Sequence, residues 1–190
     1  TVTVGMDWML IAGIALVLIG LLFKVGAVPF HSWTPDVYQG APTPITGFMA
    51  AGTKVAAFGA MIRFLYVIAP GMEADLEVLL WTVIIATMIV GTVLGIVQKD
   101  IKRMLAYSSI AHAGFVLIAV ASFQETGIGA TLFYLLAYGV ATVGAFGVVT
   151  LVREKDAAGN ITGEATSLES YAGLAKRKPG LAVAMLVFLL

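Results

Sequence analysis

The sequence predicts an all-α, polytopic transmembrane helix bundle with five full crossings, the start of a sixth, and one discontinuous, Pro-broken helix. Three observations carry this. Hydrophobic residues make up 60% of the 190 and charged residues 12%, and mean hydropathy is +1.00, which is the composition of a membrane protein. The apolar residues gather in runs close to the roughly 20 that a spanning helix needs. Inside the first run Lys24 stands five residues before Pro29, and a membrane helix excludes an ammonium group unless something justifies it.

Composition also excludes functions. Eleven Lys and Arg balance eleven Asp and Glu, so no basic tract is dense enough to hold nucleic acid. The chain has no cysteine, which removes thiolate-bound iron–sulfur clusters and thiol nucleophiles. No cofactor is expected in this chain. It opens on Thr1 and stops inside an apolar run at Leu190, so it reads as an excerpt of a longer polytopic chain forming a single membrane domain.

The first run, residues 7–33, exceeds one crossing. Pro29 cannot donate to the carbonyl of Val25 and its ring crowds that turn, so the helix is expected to kink or unwind just after Lys24. Such a break is tolerated only against protein or a watery cavity. A polar hairpin rich in proline follows at 34–42. The next helix, 44–68, carries Lys54 and Arg63 and leads into an acid-rich loop at 69–77. The helix at 78–97 holds Gly91 and Gly95 at the spacing of close helix contact. After a basic turn at 98–103, the helix at 104–122 carries Tyr107, Ser108, Ser109 and His112. A crossing at 128–152, a polar loop at 153–178 and the start of a sixth helix at 179–190 complete the chain.

Lysine and arginine set the orientation. The turn at 98–103 and the loop at 153–178 hold eight of them, and the loops between the alternate crossings hold none. Hairpin 34–42 and both basic loops are therefore expected on the cytoplasmic side.

Counting about 1.5 Å per residue from the expected cytoplasmic helix ends puts Lys24, Lys54 and His112 at depths of roughly 14, 15 and 12 Å. A lysine stem of about 6 Å does not reach the headgroups from there. Burial in general pushes a lysine's pKa down and makes its proton exchangeable. Titratable groups at one depth point to a relay running sideways in the membrane plane. Lys24 beside the break has a second reading, as a cap on freed helix carbonyls. Lys54 has no local break to explain it. His112 suits either a relay or a neutral imidazole on a backbone carbonyl, and His31 either proton entry at the cytoplasmic mouth or loop anchoring. Arg63, near the outer end of its helix, reads as snorkelling. No Asp or Glu lies inside the five complete runs, with Asp7, Glu77 and Glu125 at the edges, so the carboxylate facing Lys24 is expected on a helix outside this excerpt.

The stretch FKVGAVPFHSWTPDVYQGAPTPITGFMAAGTKVAAFGAMIRF, followed by QKDIKRMLAYSSIAHAGFVLIAV, resembles the antiporter-like membrane subunits of respiratory complex I. The WTPDVYQGAPTP wording is nearest to the N-type branch of bacterial NADH:quinone oxidoreductase. The resemblance implies an antiporter-like inverted-repeat fold of fourteen helices, in which the run with Pro29 is the seventh, Lys54 lies on the eighth and His112 on the tenth. It implies a relay from a glutamate on the fifth helix through Lys24 and Lys54 to a charged residue on the twelfth. It further implies a non-redox, proton-translocating subunit in a bacterial inner membrane, with FMN, iron–sulfur clusters and quinone in partner membrane and peripheral subunits. The expected site residues are Lys24, Lys54, His112 and His31, with Pro29 at the helix break and no metal. One rival is a subunit of a multi-subunit sodium/proton antiporter. The other is a membrane scaffold without an ion path, which would be more stable without its mid-membrane lysines.

Overall fold

The computed structural model describes residues 4–67, 73–155 and 160–190. The start of the acid-rich loop and residues 156–159 lie outside them, as does the side chain of Asp7. In chain order the elements are α1 (Val4–Val25), α2 (Trp33–Gly40), α3 (Thr43–Phe48), a π-helical turn (Met49–Thr53) and α4 (Lys54–Val67). Then come α5 (Glu73–Ile96), α6 (Ile101–Val120), α7 (Glu125–Leu151), β1 (Arg153–Lys155), β2 (Ile161–Glu164), a 3-10 turn (Leu168–Tyr171), α8 (Leu174–Arg177) and α9 (Pro179–Leu189). Five helical segments are long and apolar enough to cross a membrane: Trp8–Val25, Thr43–Val67, Leu76–Ile96, Ile101–Val120 and Glu125–Leu151.

The first run is not one helix reaching residue 33. It ends at Val25, where Gly26 takes φ +78°, a conformation that costs glycine little. The Gly26 N–H donates to the Phe23 carbonyl at 3.1 Å and the Ala27 N–H to the Leu22 carbonyl at 2.9 Å, the paired closure of a Schellman end. Glycine therefore makes the stop, and Pro29 follows in the connecting turn with a cis peptide bond. The indole of Trp33 donates to the Phe23 carbonyl at 2.9 Å, and the Val28 N–H to Thr87 Oγ1 of α5 at 3.0 Å. Backbone groups freed inside the membrane are satisfied locally.

The hairpin expected at 34–42 is instead half-helix α2. Its start lies beside Gly26, where an added Cβ would come 2.8 Å from Thr34 Oγ1 and 3.9 Å from Ile110 Cγ1. Ile110 is nine residues into α6 and Thr87 nine from the end of α5, so both lie roughly 13 Å from the basic turn. The break thus sits at mid-membrane level and α2 runs from there towards the basic turn. Lys24 and His31 belong to this level, and the expectation of His31 near a mouth is corrected. Helical rise counted back from Trp33 does not locate Lys24, because residues 26–32 are turns.

The second half of the basic turn at 98–103 is helix. Asp100 caps α6, accepting from the Arg103 N–H at 3.0 Å, so the helix starts three residues before 104. Lys102 is buried and donates to the Ala41 carbonyl at 2.6 Å, so it closes α2 and is not simply an orienting surface charge. The polar loop 153–178 contains structure too. Strands β1 and β2 pair antiparallel, Ile101 donates to the Thr166 carbonyl and Leu168 to that of Lys99. The Tyr171 phenol donates to the Ala165 carbonyl at 3.0 Å. Its burial, with Asp100 and Glu164 nearby, pushes its pKa well above the usual tyrosine range, so it remains a donor at physiological pH.

Gly91 of α5 meets α6 backbone to backbone, since an added Cβ would lie 2.6 Å from the Ala111 nitrogen, while Gly95 faces Tyr107 Cβ at 3.4 Å. Close approach is required at the first glycine only.

The buried apolar side chains form two clusters. One gathers α1, α4, α5 and the later part of α6, around Leu22, Phe58, Leu80 and Leu117. The other gathers α2, the start of α6, the end of α7 and α9, around Tyr38, Leu105, Phe146 and Met185. On α6 the clusters meet between Ala106 and Ala113, and on the helix carrying Lys54 between Ala50 and Ala57. Polar residues occupy these gaps, which makes a belt at mid-depth between two apolar layers.

Candidate functional site

Lys54 and His112 fall in that belt. Lys54 is eleven residues past Thr43 and His112 eleven past Ile101, each about 16 Å from its helix end. Lys54 is 3% exposed. It opens α4 directly after the π turn, so the expectation of no local irregularity is corrected. The widened turn re-aims the residue that follows it, and such turns collect at functional sites. Gly52 and Thr53, whose hydroxyl donates to the Met49 carbonyl at 2.6 Å, are its sequence trace.

The Lys54 ammonium donates to the Ser109 backbone carbonyl of α6 and lies 5.3 Å from the centroid of the Tyr138 ring of α7. Cation–π attraction of this kind gains strength where water is excluded. The Tyr138 ring is also 5.0 Å from that of His112. His112 Nδ1 and the Tyr134 hydroxyl share a hydrogen bond at 2.7 Å, so the imidazole is held by a side chain and not by a backbone carbonyl. Lys54, Tyr138, His112 and Tyr134 thus form one continuous group across three helices. It opens on a cavity of about 310 Å³ that Ser108 and Thr142 also line, with Phe188 to Leu190 on its far wall. A lysine with only neutral partners keeps its proton exchangeable, because no carboxylate fixes the charge in place.

The other expected residues stand apart. Lys24 is exposed on α1 and has no hydrogen bond or ion pair among the described residues. His31 is half-buried in the break, and its Nδ1 is buried without a hydrogen-bond partner there, as is the Thr34 hydroxyl. Pro29 is exposed in the same turn, and Arg63 is exposed on α4. Tyr134 and Tyr138 were not singled out from sequence, although with Thr142 they recur at four-residue spacing, one polar face of α7. Among the described residues no group of three or more His, Asp or Glu could hold a metal ion.

A half-helix pair flanking a mid-membrane break, beside a helix that carries a buried lysine, is the architecture of antiporter-like membrane subunits. Residues 3–190 match the family described as NADH:quinone oxidoreductase/Mrp antiporter, transmembrane, and the chain belongs to that family. Over 188 residues it is 62% identical to NADH-quinone oxidoreductase subunit N of Beutenbergia cavernae, covering 99% of this chain and 35% of that protein. Subunit N of Mycobacterium tuberculosis is 56% identical over 184 residues, covering 97% and 34%. Among solved structures, respiratory complex I from Thermus thermophilus contains a chain 39% identical with TM-score 0.73, covering 93% of this chain and 37% of that one. A chain of the Mrp complex from Dietzia is 26% identical with TM-score 0.77, covering 93% and 32%. The chain therefore spans about a third of the length of these relatives.

Proposed function

We propose that this chain is the central part of a proton-translocating membrane subunit of NADH:quinone oxidoreductase. The observation that carries the reading is Lys54, enclosed between two apolar layers and joined to His112 through Tyr138. The chain does no redox chemistry in this reading. FMN, iron–sulfur clusters and quinone belong to partner membrane and peripheral subunits, and this chain holds and passes protons. Quinone reduction elsewhere changes the charge of an acid facing Lys24, and that change drives a proton from Lys24 towards Lys54 and on through His112.

Exposed Lys24 supports a covering segment in the full subunit, since a bare ammonium against lipid costs roughly 2.5–3.5 kcal/mol at a helix centre. A carboxylate on that segment completes the pair. His31 and Pro29 belong to the break that gives protons access to Lys24. The subunit lies in a bacterial inner membrane, with the basic turn and loop 153–178 on the cytoplasmic side.

Substituting Lys54→Met in the assembled complex should lower proton pumping and coupled quinone reductase activity by about a hundredfold or more, the scale of losing one proton-transfer group, with assembly intact. Pumping at the unsubstituted rate would overturn the reading. The similarity to the Mrp chain favours one alternative, a sodium/proton antiporter subunit. Sodium-dependent transport without any NADH oxidation would select it.

A further inference from the structure

Two further cavities lie together at the end of the bundle that carries loop 153–178. Helix α7 ends at Leu151 and α9 begins at Pro179, so the residues just beyond them stand at the level where a spanning helix meets lipid headgroups. One cavity there, of about 770 Å³, is lined by Arg153, Arg177 and Lys178 together with Glu154 and Ser170. Arg153 and Lys178 are exposed, and their side chains make no hydrogen bond or ion pair among the described residues. Arg177 donates through Nη2 to the carbonyls of Ser170 at 2.7 Å and Ala172 at 3.0 Å, which fixes its guanidinium at the cavity wall. Glu154 accepts from the Ser170 hydroxyl at 3.3 Å. Three cations thus face one carboxylate that is already engaged.

The second cavity, of about 470 Å³, is apolar. Buried Leu174 lines both cavities and joins them. From there the second follows α9 along Ala182, Met185, Leu186 and Leu189, which helical spacing places on one face. Phe188 lies on a different face and packs against Gly144 of α7, so the groove stays clear of that helix. Ten residues separate Pro179 from Leu189, and the groove therefore descends about 15 Å into the membrane. A basic cavity at the surface opens into an apolar one that runs inwards.

We propose that these joined cavities bind an anionic phospholipid, its phosphate between Arg153, Arg177 and Lys178 and one acyl chain along α9. Basic pockets at the ends of membrane helices attract anionic headgroups, and each cation near the surface strengthens the attraction. An apolar helix would fill the groove and leave the cations unanswered. A soluble anion would answer the cations and leave the groove empty. An amphiphile with a negative head satisfies both. The site is remote from Lys54 and His112, so it does not depend on the proton-relay reading.

The test uses the full complex in proteoliposomes that contain phosphatidylglycerol or phosphatidylcholine, each with the same photoreactive acyl chain, and maps the labelled residues by peptide mass spectrometry. Phosphatidylglycerol should label the 182–189 face of α9 several-fold more than phosphatidylcholine. Arg153→Gln and Lys178→Gln should each lower that labelling by about fivefold, the share of one surface cation. Lys99→Gln, exposed on the same side and lining neither cavity, should leave it unchanged. Glycerol phosphate, which carries the headgroup chemistry without acyl chains, should not displace the lipid at equal concentration. Equal labelling by the two lipids would mean ordinary lipid contact and overturn the proposal, and this comparison needs no substitution. It would also fall if neither lipid labelled the groove, which would mean that another protein segment fills it. Displacement by glycerol phosphate, or a loss in Lys99→Gln as large as in Lys178→Gln, would likewise overturn it.

Discussion

A lysine at 3% exposure must be solvated by the protein, and Lys54 is solvated by a carbonyl dipole and an aromatic face. Both stabilise positive charge without neutralising it, which leaves the proton able to depart. His112 is built to a similar plan, with Tyr134 fixing the ring through Nδ1. Replacing Tyr134 by Phe should free the imidazole and slow pumping a few-fold, about what one hydrogen bond of 1 kcal/mol supports. In a His112→Ala background the same change should have almost no further effect, measured as pumping in the assembled complex. Independent losses would show that the bond is incidental. Lys54 and His112 were legible in the sequence because ionisable groups stand out in apolar runs. Tyr134 and Tyr138 were not, and Ser109 stood out only as a neighbour of His112, because hydroxyl and phenol side chains are ordinary in membrane helices, and only the fold shows which of them meet.

Half-helix α2 departs from what its sequence suggests. Three prolines and a glycine between 35 and 44 suggested a hairpin outside the membrane, yet Pro35 and Asp36 lie in the first turn of α2, where proline is tolerated because its missing N–H would be unpaired anyway. What fastens the half-helix along its length is the start of α6. Arg103 bonds Asp36 at 2.6 Å and Gln39 at 3.0 Å, and Lys102 bonds the Ala41 carbonyl. The two fastenings differ in strength. Asp36 is 74% exposed, so that ion pair contributes no more than about 1 kcal/mol and Asp36→Asn should scarcely change stability. Lys102 is buried, and Lys102→Met leaves the Ala41 carbonyl only the longer bond from Thr46 Oγ1 at 3.4 Å, at a cost of about 1–2 kcal/mol. A thermal unfolding series on the purified complex should therefore rank Lys102→Met clearly below Asp36→Asn. The reverse order would place the fastening in the surface pair. The sequence could not show this, since a lysine in a charged turn reads as a solvated one until its partner carbonyl is located.

Across the molecule the two apolar clusters and the belt between them explain why the titratable groups share a level. Helix α6 and the helix carrying Lys54 each contribute apolar residues to both layers and polar residues where the layers meet, so a sideways path follows from stacking these helices in register. That stacking is legible at low resolution in five apolar runs at membrane length, and the break is legible in Gly26 and Pro29. The content of loop 153–178 is not, because its strands and turns are set by contacts with the α5–α6 connection far earlier in the chain, Thr166 with Ile101, Ser167 with Asp100 and Leu168 with Lys99. The same contacts bind loop and basic turn into one unit, which has a consequence for orientation. Whichever side of the membrane holds Lys99 must hold Ser170 as well, and in the proposed orientation that side is the cytoplasm. Single cysteines at Lys99 and Ser170, in a chain that has none of its own, should both react with a membrane-impermeant maleimide in inverted vesicles. In right-side-out vesicles both should be protected. Labelling of the two positions from opposite faces would break the packing described for the loop, and labelling of both from the outer face would reverse the orientation while leaving the bundle intact.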